Sequence, residues 1–212
     1  MKKLLTVMLV LVMAFAFASC GGGSEGESEG DSGSKSRLAG VFGGIGEESG
    51  IHMNYEMEID GKTTVTDTYM KDGKIYTETD MEGSGKSITI YTDGYMYTLV
   101  PETKTGYKMK VDEDTAETLD TSSVLDSYEE YTDDVDFEKG EKEVDGKTYY
   151  SETYTTGENS AIYCFDGDKL VYMISQTSDG EENIIKYNAL DGDVDDSIFE
   201  VPDGYTIEEI ED

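Results

Sequence analysis

The side chains that most often carry enzymatic chemistry are scarce in this sequence. His52 is the only histidine, which leaves a zinc site without its usual imidazole companions and a histidine-based triad with one candidate base. Carboxylates are abundant instead, with 48 Asp and Glu residues, and this excess singles out no pair for acid–base catalysis. The sequence therefore predicts no catalytic residue, no cofactor and no metal site, and a hydrolase is the least favoured function.

Three aspartates near the C-terminus begin like a calcium-binding loop. Asp191, Asp193 and Asp195 have the Asp-x-Asp-x-Asp spacing. The loop requires Gly at its sixth position and Glu at its twelfth, where this chain has Asp196 and Pro202. We expect a solvated loop, which leaves only weak calcium binding by the acidic surface as an alternative.

Short glycine-containing motifs match nucleotide and hydrolase signatures by chance. Residues 83–87, Gly-Ser-Gly-Lys-Ser, end like a phosphate-binding loop, but Asp80 replaces the first glycine and no strand-to-helix context follows. We expect a hairpin loop there. Residues 22–26 and 32–35 match hydrolase motifs within a Gly- and Ser-rich stretch that cannot hold a strained nucleophile.

The N-terminus predicts export and lipid attachment. Two lysines precede an apolar run over residues 4–17, which has the length of a signal peptide and is too short to cross a bilayer. The run ends in Ala18-Ser19-Cys20 and resembles the lipobox, with Phe17 where Leu is usual. By that resemblance residues 1–19 are a lipoprotein signal peptide and Cys20 carries the lipid, which anchors the chain to the cell membrane on its extracytoplasmic side. The alternative is an ordinary secretory signal.

Cys164 is the second of two cysteines. It lies in the apolar stretch 161–165, so we expect a small buried core residue rather than a reactive thiol. With Cys20 lipidated, Cys164 has no partner for a disulfide. The exported domain must then be held by its hydrophobic core.

The formal net charge of −32 constrains the partners. A surface this acidic repels nucleic acids and anionic lipid head groups, so no nucleic-acid partner is expected. The same surface offers an acidic face to another envelope protein.

Composition divides the chain into three parts. Residues 20–50 are rich in Gly, Ser and Glu and indicate a flexible lipidated tether, although a few apolar side chains near residue 40 could dock as a short helix. From residue 51 apolar and polar residues alternate, as in Ile51-x-Met53-x-Tyr55, which predicts half-buried strands. Asp-Gly pairs separate these runs and predict hairpins. The domain is expected to span residues 51–212.

The predicted elements describe a meander of antiparallel strands. A helical spacing of apolar residues within 113–131 predicts one or two short helices that cover the sheet. The predicted strands span residues 51–59, 63–71, 74–81, 86–92, 95–100, 106–111, 141–145, 148–155, 160–166, 169–177 and 182–189.

The C-terminal third carries a family resemblance. The segments 143–150, 164–170 and 196–205, the last containing Phe199-x-x-Pro202-x-Gly204-Tyr205, resemble the end of a LolA/LolB-like domain, the superfamily of lipoprotein carriers. The resemblance implies one curved antiparallel sheet, an unclosed half-barrel, with one or two short helices over its mouth. It also implies an apolar cavity that accepts a lipid or another hydrophobic small molecule.

One departure from the carriers concerns charge. They use a basic residue to gate the cavity, whereas the only arginine here, Arg37, lies in the predicted tether. This argues against transfer of lipoproteins themselves. The chain is more similar to uncharacterised Gram-positive envelope lipoproteins.

The apolar positions of the predicted strands are rich in Met and Tyr, which suit an adaptable cavity better than a closed core. We therefore expect a membrane-anchored lipoprotein that binds or carries a hydrophobic ligand; the alternative is a surface interaction or adhesion module without a cavity. The candidate cavity residues are Met53, Tyr55, Met57, Tyr69, Met81, Tyr95, Tyr97, Tyr107, Met109 and Tyr172.

Overall fold

The computed structural model describes residues 36–45, 49–112, 125–126, 132, 136–178 and 180–210. The predicted signal peptide and the lipidation site Cys20 lie outside this part of the chain. Within it, the helix α1 spans Arg37–Phe42 and a 3-10 helix spans Asp196–Phe199. The strands are β1 Ile51–Ile59, β2 Lys62–Lys71, β3 Lys74–Met81, β4 Gly85–Thr92, β5 Tyr95–Val100, β6 Thr105–Lys110, β7 Phe137–Val144, β8 Lys147–Thr156, β9 Asn159–Asp166, β10 Lys169–Gln176, β11 Glu182–Asp191 and β12 Thr206–Ile210.

All twelve strands form one curved, unclosed sheet in the order β12-β6-β5-β4-β3-β2-β1-β11-β10-β9-β8-β7. Hairpins carry the chain from β1 at the centre to β6, and a second series returns it from the edge strand β7 to β11 beside β1. Every neighbouring pair is antiparallel except β12 and β6, which are parallel. The expected half-barrel architecture is confirmed.

The Asp-Gly pairs form tight turns of the hairpins. Asp60 and Gly61 have φ angles of 52° and 71°, and Asp72 and Gly73 have 49° and 68°. Positive φ at both central residues is the signature of a type I′ turn, whose twist matches that of the flanking strands. This local chemistry fixes the register of the first three strands.

Part of the predicted tether docks on the sheet. Residues 36–45, assigned to the tether 20–50, pack against the sheet: Leu38 and Phe42 of α1 are buried, and so is Ile45. A helix of six residues is not stable alone, so burial of these side chains, worth about 1.5–3 kcal/mol each, must hold it. Residues 36–45 are therefore part of the described fold, as a short docked helix near residue 40.

The predicted helical segment 113–131 lies outside the described residues, apart from Leu125 and Asp126. Both are helical, and Leu125 packs against the same core as α1. No helix among the described residues is long and apolar enough to cross a membrane.

The strand β12 was not expected from the sequence. It follows the turn at 203–204 and adds in parallel to β6, with Thr206 opposite Thr105. Its five residues alternate only weakly, because two of them are consecutive glutamates. The other eleven strands were predicted, most to within two residues at each end.

Candidate functional site

The two sides of the sheet are distinguished by α1. Residues directly opposite each other on neighbouring strands point to the same side. Ile51 and Met53 contact the α1 core, and they lie opposite Met70 and Thr68 of β2. We call the side that carries these residues and α1 the helix face, and the other side the opposite face.

The ten candidate cavity residues divide between the two faces. Met57 lies opposite Thr64 and Thr64 opposite Met81, and the register continues in this way to Tyr107 on β6. Six candidates lie on the helix face: Met53, Tyr55, Met57, Met81, Tyr107 and Met109. Four lie on the opposite face and do not join them: Tyr69, Tyr95, Tyr97 and Tyr172.

Two of the tyrosines on the opposite face belong to polar clusters. Tyr69 stacks on His52 with ring centroids 4.3 Å apart. Tyr172 packs edge-on against Tyr149 and donates a hydrogen bond to Asp145 at 3.3 Å, and burial is the main reason that its pKa rises to about 12. These side chains pack on the opposite face of the sheet.

The helix face is only partly filled by α1. Leu38, Phe42 and Ile45 pack in a core with buried residues of β1, β2 and β8–β10, and side chains of β3 and β11, including Ile75, pack against this core. Towards β6 the large apolar side chains are half-buried rather than enclosed, as Met81 and Met109 illustrate. Such adaptable side chains, partly open to solvent, provide a surface that an apolar ligand can cover.

A set of hydroxyl side chains occupies the helix face between β2 and β5. Thr68 lies opposite Thr77, Thr77 opposite Thr89, and Thr89 opposite Thr98. Four threonines thus cross four strands in one row, and Thr66, Thr79 and Ser87 form a second row beside it. We call this set the threonine floor; its members are Thr64, Thr66, Thr68, Thr77, Thr79, Ser87, Thr89 and Thr98.

Hydrogen bonds satisfy only part of the threonine floor. The hydroxyls of Thr68 and Thr77 bond to each other at 3.3 Å, and Thr66 bonds to the phenol of Tyr55, whose pKa is raised mainly by burial. In contrast, the buried hydroxyls of Thr64 and Thr98 have no hydrogen-bond partner. A buried polar atom without a partner costs about 1–3 kcal/mol.

A buried carboxylate holds α1 on the helix face. Glu152 of β8 is 0 % exposed. One of its oxygens accepts a hydrogen bond from the backbone N–H of Arg37 at 2.8 Å, and the other accepts from the N–H of Leu38 at 3.2 Å and from the Ser36 hydroxyl at 2.9 Å. Ser36 in turn caps the helix by accepting from the N–H of Ala39 at 3.1 Å. The negative charge is therefore placed at the positive end of the helix.

Side chains of β8 and α1 complete this anchor. Tyr150 and Tyr154 each donate a hydroxyl hydrogen bond to Glu152, at 3.2 and 3.4 Å. Burial and the nearby Glu152 charge raise the pKa of Tyr150. The guanidinium of Arg37 lies over the Tyr150 ring, 4.1 Å from its centroid, and donates to the carbonyl of Gly167 at 2.6 Å.

The single histidine joins three strands on the opposite face. Its Nε2 is 2.8 Å from Asp67 of β2, and its Nδ1 is 3.1 Å from Asp191 of β11. The arrangement ties β1 to both neighbours, and the phenol of Tyr69 donates to the same Asp67 at 3.2 Å.

The aspartates of the calcium-like motif have separate structural roles. Asp191 contacts His52, whereas Asp195 caps the 3-10 helix by accepting from the N–H of Ser197 at 2.8 Å. The bonds from Ser197 lower the pKa of Asp195. Within the described part of the chain, no group of three or more His, Cys, Asp or Glu side chains could hold a metal ion.

The hydrolase-like matches at residues 22–26 and 32–35 lie outside the described residues, whereas the motif at 83–87 and Cys164 have the predicted local structure. Residues 83–87 lie at the hairpin between β3 and β4, where the N–H of Ser84 donates to the Met81 carbonyl at 2.9 Å. Cys164 is fully buried, and burial raises the pKa of its thiol to about 11. It is a core residue, as predicted.

Neither Glu152 nor the threonine floor was singled out from the sequence. Glu152 stands in the segment Tyr150-Ser-Glu-Thr-Tyr154, where its position between two tyrosines on the same face was the available signal. The threonines at 64, 66 and 68 repeat with period two, which indicates a shared face but not which face.

Comparisons with known proteins place the chain far from characterised relatives. No protein-family model and no curated protein matches it. Among solved structures, an uncharacterised conserved protein of Thermus thermophilus is 9 % identical, with a TM-score of 0.48 over 82 % of this chain and 95 % of that one. MucB is 11 % identical, with a TM-score of 0.42 over 81 % of this chain and 62 % of that one. The Mycobacterium tuberculosis lipoprotein LppX is 11 % identical, with a TM-score of 0.42 over 75 % of this chain and 93 % of that one.

Proposed function

We propose that the chain is a membrane-anchored extracytoplasmic lipoprotein that binds or carries a lipid or another hydrophobic ligand on the helix face of its sheet. The observation that carries the proposal is the set of half-buried Met and Tyr side chains there, including Met57, Met81 and Tyr107. A closed core would enclose these side chains and would favour branched aliphatic residues.

The attachment of α1 supports this assignment. The segment predicted to lead from the lipidated Cys20 ends at Ser36, where Glu152 fixes the helix on the helix face. The first described residues of the chain therefore lie on the side that carries the proposed ligand surface. In this proposal the helix covers the apolar part of the face, while the part towards β6 stays open to a ligand.

Native mass spectrometry of the full chain, isolated from a membrane-containing host, tests the proposal. A mass increment matching lipid in near-stoichiometric amount, with the lipid identified after extraction, supports a binding or carrier function. A chain that carries no lipid and takes up neither fatty acid nor neutral lipid when these are added contradicts it. The acidic surface would then favour interaction with another envelope protein.

A further inference from the structure

Charge is absent from a large part of the helix face. The strands β1 to β6 lie wholly in the described part of the chain, and Lys62 at the exposed start of β2 is the one charged residue on their helix face. From Thr64 onward in β2, and throughout the helix face of the other five strands, no charged residue occurs. The opposite face of the same strands holds Asp67, Glu78, Asp80 and Lys86. In a chain in which 30 % of the residues are charged, this segregation defines a distinct surface.

We propose that the ligand of the helix face is an uncharged amphiphile with ester or hydroxyl oxygens, of the neutral acylglycerol class, whose oxygens bind the threonine floor. This inference rests on the function proposed above and specifies its ligand. Three features of the face support it: the chemistry of the floor, its boundary with apolar residues, and the absence of a buried partner for a charged head group.

The unpartnered hydroxyls supply hydrogen-bond donors. Thr64 is 3 % exposed, and its hydroxyl has no partner. The hydroxyl of Thr98 is also buried and also has no partner. Ester carbonyl and hydroxyl oxygens accept hydrogen bonds from such groups. A ligand oxygen at these positions would remove a cost that the ligand-free chain carries.

An apolar row runs beside the threonine floor. Met70 lies opposite Ile75, Ile75 opposite Tyr91, and Tyr91 opposite Met96. This row is two residues along each strand from the row that contains Thr68 and Thr77, a separation of about 7 Å. Met70 belongs to the α1 core, and Ile75 packs against it. The part of the apolar row beyond that core is Tyr91 and Met96, which lie beside Thr89 and Thr98 on β4 and β5. An apolar and a polar surface therefore adjoin there, which suits a ligand with an oxygen-bearing part and an acyl chain.

A charged head group has no buried counter-ion on this surface. A carboxylate or phosphate taken from water needs a paired cation. The one cation on the helix face of β1 to β6 is Lys62, which is exposed at the start of β2, beyond Thr64. Arg37 is already engaged by the Gly167 carbonyl and the Tyr150 ring. The net charge of −32 further disfavours an anion. Free fatty acids and anionic phospholipids are thus poorer ligands than neutral lipids.

The floor reaches solvent at one end. Ser87 is exposed, and Val100 on the adjacent strand is 38 % exposed. These positions share the helix face because Ser87 is two residues from Thr89 and Val100 two residues from Thr98. An amphiphile can enter from this side without crossing the α1 core.

The test compares two lipids that share an oleoyl chain. The full chain carrying Cys20→Ser, which removes the competing lipid anchor, is titrated with 1-monooleoylglycerol and with oleate, and native mass spectrometry measures the bound fraction. We expect 1-monooleoylglycerol to bind at least tenfold more tightly. Equal or tighter binding of oleate overturns the assignment to uncharged lipids while leaving the proposed function intact. Binding of neither lipid overturns both.

Two variants test the threonine floor itself. Thr64→Val and Thr98→Val each remove one hydroxyl at nearly constant shape. The two positions are three strand spacings and four residues apart, about 15–20 Å, so the head group of one 1-monooleoylglycerol molecule reaches only one of them. One of the two variants should therefore weaken binding roughly tenfold, the loss of one hydrogen bond. The control Thr63→Val changes the adjacent, exposed position on the opposite face and should leave the affinity unchanged. The ligand-free Thr64→Val chain should unfold at the same temperature or higher, because an unpartnered polar atom has gone. Unchanged affinity in both floor variants overturns the role of the floor.

Discussion

Replacement of Glu152 tests how the N-terminal segment is held. In Glu152→Ala the backbone N–H groups of Arg37 and Leu38 lose their acceptors, which now lie at 2.8 and 3.2 Å. Two buried donors left without partners cost about 1–3 kcal/mol each. Ser36 still caps the helix through the N–H of Ala39, so no loss of the cap is added to this cost. Water can reach the donors once α1 detaches, which limits the total, and we expect a loss of about 3–5 kcal/mol in the free energy of unfolding.

The conservative variant should lose less. Glu152→Gln keeps one acceptor oxygen for Arg37, but its amide NH₂ then faces the N–H of Leu38. This single donor–donor conflict is worth about 1–3 kcal/mol. The matched control is Glu143→Gln, which removes the same charge at an exposed position on the neighbouring strand β7 and should leave stability unchanged.

Two measurements separate local from global effects. Urea unfolding followed by circular dichroism gives the free energy, and hydrogen exchange reports the amides of Arg37, Leu38 and Ala39. In Glu152→Ala we expect their protection to fall by about a hundredfold, the equivalent of roughly 3 kcal/mol. Wild-type stability together with unchanged protection of these three amides would refute the anchoring role of the carboxylate.

Three further predictions concern stability, alkaline pH and ligand uptake. Phe42→Ala should lower the free energy of unfolding by about 3–5 kcal/mol in urea titrations, since its ring is 5 % exposed in the α1 core; a loss below 1 kcal/mol would show that α1 is not docked. Cys164, with a thiol pKa of about 11 in the fold, keeps a proton that the unfolded chain releases near pH 9, so stability should fall as pH rises from about 9 to 11, by about 2–3 kcal/mol. Cys164→Ala should remove this part of the slope, and identical pH profiles would contradict the assignment. Met81→Lys places a charge on the helix face and should reduce uptake of 1-monooleoylglycerol by at least tenfold, whereas Thr63→Lys on the opposite face should not; equal uptake by both variants would exclude this part of the face as the binding surface.

Local signals predicted much of the sheet. Period-two alternation located eleven strands, and Asp-Gly pairs such as Asp60-Gly61 marked the turns between them because both residues adopt positive φ. The resemblance of the C-terminal segment added what local signals do not contain, namely that the strands form one curved sheet. The parallel strand β12 escaped prediction because its pairing with β6 is non-local and its own pattern is weak.

The candidate site was harder to predict for a physical reason. Alternation shows which residues share a face but not which face carries the helix, and Tyr occurs on both. Tyr69 and Tyr97 therefore entered the same candidate set as Met57 although they lie on the opposite side. The docking of α1 depends on Glu152, more than a hundred residues away in sequence, and a carboxylate within a strand looks like any other solvent-facing residue. Long-range hydrogen bonds of this kind leave no periodic signal.

The central claim is that the helix face holds a lipid, and the most direct measurement is the mass of the native chain as isolated from membranes. We predict a near-stoichiometric increment that extraction identifies as an uncharged lipid, and we predict that the increment is lost in Met81→Lys and retained in Thr63→Lys. A chain whose mass equals that of the protein with no lipid beyond the proposed one on Cys20, and which gains nothing on incubation with 1-monooleoylglycerol or oleate, would contradict the account.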